Sequence, residues 1–198
     1  MGANMMLTIG AILLFGIFLS TTNKLMIGNN QIASQNEYYI AGISMAQSVI
    51  DEAKSKAFDK NTAGQDTMVA VANLTAPGSL GRDAGEGTFS YPDTLNSFAP
   101  FTPAYKGYYS AALYNDVDDY NNYVRVVTSN RSARNLTIAE GYRLSATVRY
   151  GDPLNPNSVS AARSYCKVMT VKVTSPYFRK NRENGGPDTL TLQYAFTY

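Results

Sequence analysis

An α+β fold, in which one long N-terminal helix packs by its second half on an antiparallel β-sheet, is predicted by three features of this chain. The first is that residues 1–23 carry no charge, with Met5–Leu19 (MMLTIGAILLFGIFL) almost unbroken apolar. The second is the lack of helix breakers down to Asp59-Lys60-Asn61; the first proline is Pro77. A helix over that stretch would reach roughly 80–90 Å at 1.5 Å per residue. The third is a set of late segments alternating apolar and polar residues with period two, the signature of half-buried strands. The sequence therefore divides into an apolar helix over residues 1–24, its amphipathic continuation over 25–60, and a β-sheet domain with long loops over 61–198.

Residues 1–24 admit three readings. A signal peptide would want a cationic start, but the first positive residue is Lys24, and no A-x-A site follows the apolar run. A permanent single-pass anchor is barely supported by length, since about 20 residues span a bilayer. Its flanks would also place Lys24 on the cytoplasmic side. The third reading is a segment held in a membrane and later packed against copies of itself. Gly2, Ala3, Gly10, Ala11 and Gly16 would let helices approach closely in an apolar medium, and a charged leader already removed would explain the missing cationic start. On this reading Met5, Leu7, Ile9, Gly10, Ile12, Leu13, Leu14, Phe15, Gly16, Phe18 and Leu19 form a filament core.

From Leu25 the pattern becomes one-sided. Leu25, Ile32, Tyr39, Ala46 and Ala53 recur every seven residues, and Ile43, Ile50 and Ala57 follow at the complementary spacing, as a helix stripe requires. Gln35, Glu37, Gln47, Ser48, Asp51, Lys54 and Ser55 take the other face. Gly28-Asn29-Asn30 is the weakest point between the halves, because Gly and Asn are poor helix formers.

In the remainder, Thr67–Leu74 alternates weakly and is a strand candidate. Residues 76–103, dense in Pro and Gly, read as a long loop. Gly107–Leu113 and Asn122–Thr128 are short strand candidates. Tyr142–Tyr150 (YRLSATVRY), Ser164–Thr174 (SYCKVMTVKVT) and the stretch from Leu190 to Tyr198 give the clearest alternation. They read as an antiparallel meander, one face taking the helix and the other facing water. Helix–sheet packing is assigned to Ile32, Tyr39, Ile43, Ile50, Ala53, Leu144, Val148, Met169, Val171, Leu192, Tyr194 and Phe196.

Composition narrows the chemistry. Seventeen Lys and Arg against 15 Asp and Glu give a net charge of +2, and no basic run or RNA motif appears, which speaks against a nucleic-acid partner. There is no histidine and one cysteine, Cys166. Within this chain a disulfide, a four-cysteine zinc site, haem attachment and His-dependent catalysis are thus excluded. Cys166 reads as a small sheet residue. No nucleophile elbow, phosphate loop or singled-out carboxylate pair appears, so no enzyme activity and no cofactor are expected. The 15 tyrosines suit half-buried pleated surfaces better than electron transfer or ligand stacking. Asp116, Asp118 and Asp119 cluster oxygens as calcium prefers; a solvated turn is the plainer reading, since the EF-hand glycine and distal glutamate are missing. Sequons begin at Asn73, Asn130 and Asn135, candidate glycosylation positions on a cell surface.

The apolar Met5–Leu19 run, the helix end AQSVIDEAKSKAFD from Ala46 to Asp59, and the strands YRLSATVRY and CKVMTVKVTSP together resemble the type IV pilin and pseudopilin superfamily. The likeness covers both ends of the chain and leaves residues 61–140 unmatched. It implies an inner-membrane subunit, processed after a leader glycine, that assembly machinery builds into an extracellular filament by bundling the apolar helices. Copies of the chain and the inner membrane are the implied partners. The chain departs from that pattern in three ways. Met5 or Leu7 stands where a glutamate is usual, no C-terminal disulfide can form, and the apolar helix has no proline. The alternatives are a minor pseudopilin, tip or assembly component, or a membrane-anchored surface binding module that does not polymerise.

Overall fold

A computed structural model describes residues 2–84, 86, 114–127, 141–156, 158–179 and 188–198. Among these residues a single α-helix, α1, spans Gly2–Lys54. Four strands follow among the described residues: β1 (Tyr123–Val127), β2 (Tyr142–Tyr150), β3 (Cys166–Thr174) and β4 (Thr189–Thr197). They form one sheet in the order β1-β2-β3-β4, every pair antiparallel. The meander and the α+β class are as the alternation predicts. The chain divides into two compact units, Met1–Tyr38 and Tyr39–Tyr198.

Register places the apolar alternates on one face. Tyr150 pairs with Lys167, Val148 with Met169, Ala146 with Val171 and Leu144 with Val173. On β4, Leu192 pairs with Val171 and Phe196 with Lys167. Leu144, Val148, Met169, Val171 and Phe196 are buried. The helix meets this face through Gly42, Ala46, Val49, Ile50 and Ala53, all buried. Small residues let the helix sit low: a Cβ at Gly42 would lie 2.8 Å from Cζ of Phe178 and 3.5 Å from Leu190. Tyr39 stacks on Phe178 with ring centroids 4.5 Å apart, and the Lys54 ammonium lies 4.3 Å from the ring centre of Tyr194.

Several expectations are corrected. Ala46 and Ala53 of the expected stripe are buried, seven residues apart, but Ile32 is 56% and Ile43 44% exposed. Gly42 and Val49 take the buried positions instead, one residue around the helix from Ile43 and Ile50, and Ile43 falls on the exposed side. At the sheet's edge strand, Leu192 is half-buried and Tyr194 39% exposed.

The helix stops at Lys54 and not at residue 60. Ser55 and Lys56 donate backbone N–H bonds to Glu52 and Ala53, closing a tight final turn, and Ala57 then pairs with Asn115 and Val117. Thr67–Leu74 forms no strand; it holds a 3-10 turn at Val71–Asn73. The outer face of the sheet is not uniformly wet. Cys166 and Val168 are buried there, under a returning chain whose Gly151 approaches so closely that a Cβ would lie 2.8 Å from Val168 and 3.3 Å from the Cys166 sulfur. The strand candidate Gly107–Leu113 lies outside the described residues.

Candidate functional site

Two regions carry chemistry that a plain core would not. The first is the start of α1. From Met5 to Leu19 its large apolar side chains are all exposed, from 46% at Leu19 to 79% at Met6. That set includes Leu7, Ile9, Ile12, Leu13, Leu14, Phe15 and Phe18 and covers the full circumference. A Cβ placed on Gly10 or Gly16 would meet nothing within 4 Å. Three threonine hydroxyls are satisfied by the helix itself. Thr8 donates to the Asn4 carbonyl at 2.8 Å, Thr21 to Ile17 and Thr22 to Phe18 at 2.9 Å. An apolar medium imposes this condition, because it offers no water to take an unmade hydrogen bond. The helix is long and apolar enough to cross a membrane, and none of its most apolar window is buried.

The second region lies inside the folded unit. Lys167 sits on the buried face of β3 in line with Met169, Val171 and Val173, and its side chain is fully buried. Its ammonium donates to the Phe58 carbonyl at 2.7 Å, to Oδ2 of Asp59 at 2.9 Å and to Oδ1 of Asp118. The Phe58 and Tyr150 rings lie over it, 4.7 and 5.6 Å from their centres.

Asp59 is the hub that sets the chain's path after α1. It caps the 3-10 turn Lys60–Thr62 and accepts from the Asn61 N–H at 3.1 Å, the Thr75 N–H at 2.9 Å and the Thr75 hydroxyl at 3.0 Å. Burial alone would raise the Asp59 carboxyl. The Lys167 hydrogen bond and the Thr75 N–H outweigh it and hold the group below the usual carboxylate range.

Asp116, Asp118 and Asp119 are also buried, so the solvated-turn reading is overturned. They form no calcium cage either: among the described residues no group of three or more acidic, cysteine or histidine side chains is arranged for a metal ion. Two of their oxygens are committed to backbone donors. Oδ1 of Asp116 accepts the N–H groups of Asp118 and Asp119, and Oδ2 of Asp119 accepts those of Asn115 and Asp116. The cation among them is the Lys167 ammonium. Burial, then the hydrogen bond to Asp118, pushes the Asp116 carboxyl up to about 9. Burial, then a hydrogen bond with Glu86, pushes Asp119 up to about 6.

Asp59 and Lys167 were the residues missed from sequence. A usable signal existed, since Lys167 occupies a position that its strand's alternation assigns to the core.

The sequon asparagine Asn73 is exposed, but the hydroxyl of its partner Thr75 is buried against Asp59. Asn130 and Asn135 lie outside the described residues. The tyrosines of this unit pack on one another: Tyr114, Tyr120 and Tyr123 meet edge-on at 5.0 to 6.1 Å.

No protein-family model, curated protein or solved structure matches the chain.

Proposed function

We propose that this chain is a structural subunit of an extracellular, type IV pilus-like helical filament. The observation that carries the reading is the apolar start of α1, exposed around its whole circumference, on the same helix whose later turns pack on the sheet. Each large apolar side chain left in water forgoes roughly 1.5–3 kcal/mol of burial, so this segment needs cover. Lipid supplies it before assembly, and copies of the helix supply it afterwards. Dispersion and close backbone approach favour the second state where glycines leave room. Leu25, Met26, Ile27 and Ile32 are exposed as well, which extends the same requirement along the helix. The sheet units then form the filament's outer wall, and the inner membrane holds the subunits that the assembly machinery draws on.

The test is negative-stain microscopy of sheared surface material, with mass spectrometry of the subunit and its N-terminus. Filaments composed mainly of this chain are expected. Its presence as a trace component would favour a minor or tip subunit. Retention of all of it in the membrane fraction, with no sheared polymer, would overturn the proposal in favour of a membrane-anchored binding module.

A further inference from the structure

We propose that Lys167 and Asp118 condense spontaneously in the folded protein into an intramolecular amide, a covalent clamp between β3 and the segment that leads into β1. The inference is independent of the filament reading. It rests on a buried amine held against a carboxyl group, with a second carboxylate on the amine and a third carboxyl on the electrophile. The Lys167 side chain is fully buried and touches Asp118 directly. Asp59, 2.9 Å from the same nitrogen, is tied down by donors from Thr75 and Asn61. It stays ionised and suits the role of proton acceptor. Asp116 is hydrogen-bonded to Asp118 and keeps its proton at neutral pH, which suits it to protonate a departing oxygen.

The step balances without any oxidant or co-reactant. Lys167 enters as an ammonium and Asp118 as a carboxylate. Asp59 takes a proton from the nitrogen, whose freed lone pair adds to Cγ of Asp118. Asp116 gives its proton to the leaving oxygen. The C–O bond breaks as the C–N bond is completed; the departing oxygen takes its second proton from Asp59 and leaves as water, and Asp116 recovers the second proton that the nitrogen releases. In sum, an ammonium and a carboxylate become an amide and one water.

In water this condensation is unfavourable. In this interior it removes two charges whose desolvation is costly. The Phe58 and Tyr150 rings exclude the solvent that would reverse it. The chain has one cysteine, so the amide is a covalent staple open to it where a disulfide is not.

The experiment is intact-mass spectrometry of the full-length, detergent-solubilised chain under denaturing conditions, followed by proteolysis and fragmentation of the linked peptides. The expected mass is lower than the sequence mass by one water, with the Lys167 peptide joined to the Asp118 peptide and no tryptic cleavage after Lys167. Lys167→Arg should restore the full mass. For Asp116→Asn, cross-linking followed over time after refolding should slow on the order of 100-fold, as removal of a general acid does. A wild-type mass equal to that of the sequence would overturn the proposal. So would water loss traced to a cyclised aspartate with Lys167 unlinked, or a link that runs to Asp59.

Discussion

Gly16 and Gly42 lie on the same helix, yet their surroundings are opposite. A side chain at Gly16 would meet nothing within 4 Å, whereas one at Gly42 would run into Phe178. Between them the residues change from apolar on every side and exposed, to a narrow stripe of Gly42, Ala46, Val49, Ile50 and Ala53 buried on the sheet. Helix propensity cannot explain the difference, because both stretches are helical. What differs is who supplies the partner surface. The later turns are complete within this chain. The earlier turns are internally satisfied only in their hydrogen bonds, by Thr8, Thr21 and Thr22 bonding back to the helix.

If that division is right, a charge should be ruinous in one region and harmless to folding in the other. Val171, fully buried on β3, is expected to lose more than about 4 kcal/mol as Val171→Asp. Leu14→Asp, at a residue 70% exposed, should leave the unfolding of the sheet unit within about 0.5 kcal/mol. Urea unfolding of the detergent-solubilised chain, followed by tyrosine circular dichroism, reads both. Similar losses would break the comparison.

The next effect separates the regions by charge. Residues 2–23 carry no titratable side chain, so pH sensitivity belongs to the folded unit and its buried aspartates. Asp116 and Asp119 have raised carboxyls, about 9 and about 6, against roughly 3.9 when unfolded. The folded state therefore holds protons that the unfolded chain has released. That stability is complete below the unfolded value and is lost as pH rises through the folded values. Between pH 6 and about 8 Asp116 leads the decline, with a slope of up to about 1.4 kcal/mol per pH unit; above that the Cys166 thiol, also raised by burial, adds to it with the same sign. While Lys167 is an ammonium, Asp59 has the opposite sign: its depressed carboxyl stabilises above its unfolded value and loses that effect as pH falls through the folded one. Asp116→Asn should flatten the decline above pH 6. Wild-type stability that rises from pH 6 to 9 would contradict the assignment.

Much of this was legible in the sequence. Tyr142–Tyr150 and Cys166–Thr174 announce themselves because one face is buried and the pleat forces alternation. Met5–Leu19 is legible because nothing polar interrupts it. The helix end was not, because Lys56, Ala57 and Phe58 are acceptable helix formers and what stops α1 is a distant partner, the Asn115–Val117 backbone. The ion cluster was hidden for the same reason. Asp59 and Asp118 are far from Lys167 in the chain, and only the register and the turn at Lys60–Thr62 bring them together. Ile32 and Ile43 misled because apolar character was read as contact: Ile32 precedes the turns that meet the sheet, and the small Gly42 takes the buried position beside Ile43.

A smaller effect is expected from Gly42→Leu. The Phe178 ring stands where the new side chain would go, and overpacking of this kind costs about 1–3 kcal/mol. Gly42→Ala should fall lower in that range, since Phe178 can yield to a single methyl. If neither variant changes the urea midpoint, the helix does not approach the sheet as closely as these contacts require.

The smallest effect on folding is expected at Gly16, and it bears most directly on the proposed function. Gly16→Leu adds bulk where no described residue lies within 4 Å, so the urea midpoint of the sheet unit should not move. Leucine is as favourable as glycine or better in a bilayer, so membrane insertion should survive as well. What should disappear is polymer, because a leucine stands where facing helices would otherwise bring their backbones together. Gly10→Leu is the parallel case. The measurements are membrane fractionation, urea unfolding, and microscopy of sheared material from each variant. Filaments of normal abundance from both would mean that the two glycines do not mark a helix–helix contact. Loss of the protein from membranes would mean that the segment is not lipid-embedded before assembly. An unchanged fold with filaments lost is the outcome that places the missing partner of the first half of α1 on another copy of the chain.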